Sequence, residues 1–223
     1  MELTAEQVRV LGCLVEKSAT TPDNYPLTSN SLVSACNQKS SRDPQMALAE
    51  RDIDAAMLEL RQLGLARTLT TGGRTVKHRH IADEALELSP AALAVLSVLM
   101  LRGPQTVGEL RTRTERQHRF DDLESLDRVL ESLAARTDPL VTRLEREPGR
   151  KEPRWMHLLL GEAWSPGDVS AERATPPAAA TEQALTTDET TELEKLRAEV
   201  LSLRERVDQL FDLLGVQPEE DPS

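Results

Sequence analysis

The chain has 223 residues, enough for one large domain or for two small ones that each bury a core. Hydrophobic residues at 39% and charged residues at 29% fit a soluble helical protein, whereas aromatics at 2% are too few for the stacking platforms that hold single strands or RNA. The net charge of −11 gathers in residues 161–223, where 15 Asp/Glu oppose 5 Lys/Arg, so the first 160 residues are near neutral and do not by charge alone imply a nucleic-acid surface.

The first predicted helix starts at Thr4, whose hydroxyl caps it while Gln7 reaches back, with Val8, Leu11, Leu14 and Val15 at helical spacing. Residues 18–26 read as a loop, broken by Pro22, Asp23, Asn24 and Pro26. Thr28 caps a short second helix with Leu32, Val33 and Cys36 on its apolar side. A connector with Lys39, Arg42 and Pro44 leads to a third helix from about Glu50 to Leu63, with Ile53, Met57, Leu60 and Leu63 on one face. The period then switches: 65–70, a TGGR turn and 75–81 predict a β-hairpin. Three helices and a hairpin make a winged helix-turn-helix.

The order repeats. Ser89 caps a helix with Pro90 in its first position and Gly103 after its end, its apolar face being Leu93, Leu96 and Met100. Thr106 and Glu109 form a capping box for a short helix through Leu110. A third helix runs from about Asp122 to Ala135 with Leu126, Leu130 and Leu133 inward. Residues 140–144 and 154–160, around Pro148-Gly149, predict a second hairpin. The fold class is therefore mainly α with small β-hairpins (α+β): winged helices over 1–84 and 85–160, a Pro/Ala/Thr linker over 161–190, a coiled-coil helix over 191–215 and an acidic tail over 216–223. In the coiled coil, Leu193, Val200, Val207 and Leu214 take the a positions and Leu196, Leu203 and Leu210 the d positions, a mixture that favours a parallel homodimer; docking of the helix on its own chain is the competing arrangement.

Several multi-residue matches carry a family resemblance. They are Thr20-Thr21-Pro22 with Tyr25-Pro26-Leu27, Ala35-Cys36-Asn37-Gln38-Lys39 with Arg42 and Pro44, Leu101-Arg102-Gly103 with Gln105-Thr106, Gly108-Glu109-Leu110-Arg111, Arg146-Glu147-Pro148-Gly149 and Met156-His157-Leu158. Over about residues 2–160 the sequence resembles the YceH family of uncharacterised bacterial proteins. The resemblance implies tandem winged helices and a DNA-binding or regulatory role; it implies no catalytic residue.

Enzyme motifs are absent from the sequence: there is no GxSxG, HExxH, paired CxxC or GxxxxGK. Neither a catalytic set, a cofactor nor a metal site is expected. Cys13 and Cys36 fall on apolar helix sides as structural thiols. His78 and His80 share one strand face and are read as part of a basic wing with Arg74, Lys77 and Arg79. Asp121, Asp122, Glu124 and Asp127 are read as capping and macrodipole carboxylates. No signal-peptide pattern opens the chain and the longest apolar run, 91–101, is too short to span a bilayer, so a cytoplasmic protein with no membrane segment is expected.

In a helix-turn-helix the third helix enters the major groove N-terminal end first, but here those ends begin Glu50-Arg51-Asp52 and Asp121-Asp122, which phosphates repel. Duplex DNA is therefore expected to be met by Lys39 and Arg42 of the connector, by Arg74, Lys77 and Arg79 of the first wing, by Arg111 and Arg113, and by Arg150 and Lys151 of the second wing. The alternative partner is a protein docked on the winged helices.

Overall fold

Thr4 opens the first helix through the expected capping box. Its side chain accepts from the Gln7 backbone N–H, Gln7 accepts from the Thr4 N–H at 2.9 Å, and α1 spans Ala5–Thr20. The computed structural model of the chain describes residues 1–71, 75–146 and 152–160, all within the unit Met1–Pro166. After one turn of 3-10 helix at Pro22–Asn24 comes a strand of two residues, β1 (Leu27–Thr28), and then α2 (Ser29–Cys36), capped by Thr28. The peptide bonds before Pro26 and Pro44 are cis. α3 (Glu50–Gln62) follows, and β2 (Ala66–Thr71) and β3 (Thr75–His80) form the expected hairpin.

β1 is a finding that two residues of sequence do not announce, because alternation needs a longer run. It pairs antiparallel with β3, Leu27 opposite His78 and Thr28 opposite Lys77, so the sheet order is β1-β3-β2 with β3 central. A further short helix, α4 (Ala82–Ala85), separates this half from the next.

The second half repeats the first. α5 (Pro90–Arg102) is capped by Ser89 and ends at Gly103, whose φ of 67° is strained for any residue with a Cβ. α6 (Val107–Thr114) begins with the Thr106/Glu109 capping box, and α7 (Leu123–Ala134) is capped by Asp122, which accepts from Ser125 N at 2.7 Å. β4 (Val141–Arg143) and β5 (Trp155–His157) pair antiparallel. Even β1 has a counterpart: Gln105, one residue before the α6 cap, exchanges two backbone hydrogen bonds with Trp155 at 3.0 and 2.7 Å. Among the described residues the protein is thus a mixed fold of seven α-helices and two small antiparallel sheets.

The two halves share their packing. α1 lies against α5, and Gly12 permits the approach: a Cβ there would stand 3.0 Å from Leu101 Cγ and 3.2 Å from Met100 Cβ. Leu3 N donates to Leu159 O at 2.7 Å, and Asp43 N to Leu101 O at 2.8 Å. One apolar cluster runs from Leu11, Leu32, Ile53 and Leu60 through to Leu99, Leu126, Leu130 and Trp155. Consequently α5 is not amphipathic as expected from Leu93, Leu96 and Met100; every residue from Ala94 to Leu101 is buried, as befits a helix with neighbours on all sides. Leu63, expected inward, ends the helix and is 45% exposed. No helix among the described residues is long and apolar enough to cross a membrane.

Candidate nucleic-acid interface

The connector between α2 and α3 holds two of the expected contact cations, and they part ways. Lys39 is exposed. Arg42 has a side chain with no accessible surface: Nε donates to Ala35 O at 3.0 Å, and Nη1 and Nη2 grip the two Glu16 carboxylate oxygens at 3.1 and 2.6 Å. The fork that suits a phosphate suits a buried carboxylate equally well, and Arg42 is spent on the latter. Burial opposes the charge on Glu16, yet the Arg42 hydrogen bonds outweigh it and hold the carboxyl below its ordinary range.

Other side chains fasten the same connector. Asn37 bonds both backbone groups of Leu48 at 2.8 Å, and Arg102 Nη2 donates to Ser41 Oγ at 2.6 Å. Arg9, which the sequence pattern did not single out, is buried in α1 and donates to Cys36 O at 3.1 Å and to Pro44 O. A signal for it existed: residues 8–15 are apolar around the helix apart from Arg9, which leaves that residue no solvent face. Cys13 and Cys36 are buried free thiols beside this network.

On the first hairpin, Lys77 is partly exposed, and Arg79 approaches Glu84 at 4.0 Å. His78 and His80 do not belong to a basic wing. They are 4% and 7% exposed, because the face they share packs against α1 and α2. His78 bonds Ser29 Oγ at 3.0 Å, and its burial lowers its pKa, against the pull of Asp54. His80 Nε2 lies 3.0 Å from Ser18 Oγ, its Nδ1 is 3.4 Å from Asp83 Oδ1, and its backbone N–H donates to Tyr25 Oη at 2.7 Å.

Ser18, His80 and Asp83 thus touch in the order of a hydrolytic triad, but the chemistry does not follow. The Ser18 hydroxyl donates to Val15 O at 2.8 Å, and the end of α1 offers carbonyls where an oxyanion would need N–H groups. The Nδ1 and Oδ1 atoms form no well-aligned hydrogen bond, and burial lowers the His80 pKa despite Asp83. The cluster is a clamp joining α1, β3, α4 and the Tyr25 loop.

In the second half Arg111 donates to Asp121 O at 2.8 Å while remaining exposed, and Arg113 meets Glu109 at 3.5 Å. Arg74, Arg150 and Lys151 lie outside the described residues, as do the dimerisation residues Leu193 to Leu214. Asp122 caps α7 as read from the sequence, and Asp52 accepts from Ala49 N at 2.8 Å at the start of α3. No group of three or more His, Cys, Asp or Glu among the described residues is arranged to hold a metal ion.

The structure adds a feature that the sequence did not. An open groove of about 500 Å³ runs between the end of α1, the 3-10 turn and α2. Its polar lining includes Lys17, Asn30, Ser31, Ser34, Gln38 and Lys77, with Asp23 its one carboxylate. A second groove, of about 490 Å³ beside α3, has the opposite character: Glu6, Asp52 and Glu59 surround Leu48, Ala55 and Leu58.

Comparison with known sequences gives one family throughout. A family model described as "Protein of unknown function, DUF480" matches residues 3–150. A UPF0502 protein of Geotalea uraniireducens (strain Rf4) is 50% identical over 204 residues, covering 92% of this chain and 91% of its own length. A UPF0502 protein of Geobacter sulfurreducens is 56% identical over 171 residues, covering 77% and 76%. One from Citrifermentans bemidjiense is 45% identical over 221 residues, covering 95% of this chain and 98% of its own, so the similarity reaches well into residues 161–223.

Proposed function

We propose that this chain, which belongs to the DUF480 family of bacterial proteins, is a dimeric tandem winged-helix protein that binds duplex DNA as a regulator. The observation that carries the reading is the doubled order of helix, short edge strand or bridge, capped short helix, longer helix and hairpin. Fold alone is a weak warrant for function, so the cations matter. Lys39, Lys77, Arg79 and Arg111 retain solvent access, and Lys77 stands at the capped start of α2. With carboxylates at the starts of α3 and α7, contact falls to α2, the connector and the wings. Anisotropy titration of the full chain against genomic duplex fragments at several salt concentrations tests this. Binding that weakens steeply as salt rises is the expected result, and no binding even at low ionic strength overturns the reading.

A second reading has its own observation, the acidic groove beside α3. Its apolar floor includes Leu58, 50% exposed, and the rim carries three carboxylates and no cation, as suits a basic partner segment with an apolar anchor. Under that reading the winged helices are a docking scaffold. Leu58→Asp should then abolish a partner interaction while leaving DNA binding intact.

A further inference from the structure

We propose that α2, rather than the acidic α3, is the element this fold lays against DNA, with the groove beside it seating backbone phosphates. The inference rests on the DNA-binding reading and names the surface that performs it. Its basis is the pairing of β1 with β3. Thr28 is both the N-cap of α2 and the strand partner of Lys77, so a cation stands beside the helix end whose N–H groups and dipole favour an anion. Lys17 lines the same groove from α1, near the start of the 3-10 turn. Lys17 also touches Glu16 at 3.4 Å, but Glu16 is already held by both nitrogens of the Arg42 fork. Lys17 and Lys77 therefore carry the charge of the groove against Asp23 alone.

The rest of α2 is uncharged. Its residues Ser29–Cys36 read SNSLVSAC; Leu32, Ala35 and Cys36 are buried, while Asn30, Ser31 and Ser34 are exposed. An Asn amide and two hydroxyls donate and accept without repelling phosphate, and they are the side-chain types that read base edges. α3 offers the reverse. Asp52 is occupied in capping, Glu50 and Asp54 are exposed carboxylates, and the adjoining groove is acidic. Placed on a duplex, the uncharged α2 between two lysines is favoured electrostatically over α3.

Random-site selection on the full chain, followed by anisotropy titrations on the selected duplex and a scrambled one, tests the proposal. Lys17→Ala with Lys77→Ala removes two phosphate contacts. Between about 50 and 200 mM salt the wild type should lose about tenfold more affinity than this double variant, each contact contributing about 0.9 to the salt slope. Asn30→Ala with Ser34→Ala should keep the slope and lose about tenfold or more of the preference for the selected duplex. Arg51→Ala and Asp54→Ala on α3 should change neither readout. Matched circular dichroism and melting confirm that the variants fold.

If the wild type binds and the lysine pair leaves its slope unchanged, the groove proposal falls while DNA binding stands; loss of preference on the α3 variants instead of the α2 variants does the same. Absence of binding by the wild type overturns both. If inorganic phosphate raises the melting point of the wild type but not of the lysine variant, and DNA binds both equally, the groove is a small-phosphate site and the assignment to DNA is overturned.

Discussion

Arg42 shows what a residue's type does and does not fix. Sequence identifies a cation in a polar connector, and a solvated or phosphate-facing side chain is the ordinary outcome. The direction of the side chain depends on Glu16, 26 positions earlier on α1. His78 and His80 fail in the same way: alternation puts them on one face, but only the packing of α1 and α2 makes that face the inner one. The Asp122 cap, which depends on near neighbours, was legible. The buried pair gives a direct prediction. Arg42→Ala leaves the half-buried Glu16 carboxylate with only Lys17, at 3.4 Å, to offset its charge and should cost about 3 kcal/mol in chemical denaturation. Arg42→Lys should recover little of it, since an ammonium cannot reproduce the two-pronged grip and the bond to Ala35 O together. DNA affinity of the folded Arg42→Lys protein should match the wild type; a reduced salt slope would return Arg42 to the contact surface.

At the scale of elements, helices with caps and long apolar periods were readable, and the bounds of α3 and α7 agree within a residue or two, while α1 runs three residues, 18–20, into the expected loop. β1, the Gln105 bridge and α4 were not, because each is a few residues long and is defined by partners distant in the chain. The contact of α1 with α5 was equally hidden; its sequence sign is the small residue at Gly12. Gly12→Ala inserts a methyl 3.0 Å from Leu101 and should destabilise the fold by about 1–3 kcal/mol, read as a lower denaturation midpoint. Compensation by Leu101→Ala in the double variant would tie the cost to that contact. β5 supplies a pH dependence. Burial lowers the His157 pKa to about 4, while Leu159 N–H donates to its Nδ1 at 3.3 Å. In the unfolded chain the imidazole protonates near pH 6.5, so from there down to about 4 the unfolded state binds the extra proton. Stability is full above about pH 6.5 and should fall by up to about 3 kcal/mol as pH approaches 4. His157→Gln should flatten most of this slope in urea titrations, the remainder coming from His78 and His80, whose pKa values burial also lowers.

At the scale of the whole molecule, the DNA-binding proposal asks a near-neutral body to hold a polyanion through a small number of solvent-facing cations. Two phosphate contacts and one short helix make a weak site, but two such sites on one assembly act together, because the second engagement is intramolecular. The heptads at 191–215 are the means available in this chain. Their a positions are Leu193, Val200, Val207 and Leu214, their d positions are Leu, and in a parallel pair Glu192 and Glu199 at g would face Arg197 and Arg204 at e of the partner. The linker at 161–190, rich in Pro, Ala and Thr, would let two bodies find separate half-sites. Light scattering on the full chain should therefore give twice the 24.7 kDa chain mass. Leu203→Lys with Leu210→Lys puts like charges in the seam and should give the single-chain mass with unchanged melting of the body. On a duplex bearing two copies of the selected site, affinity should drop at least tenfold in that variant, while on a single copy it should stay the same. A wild type of single-chain mass would rule out the dimer, and equal losses on one and two copies would mean that the helix acts on its own body instead of joining two.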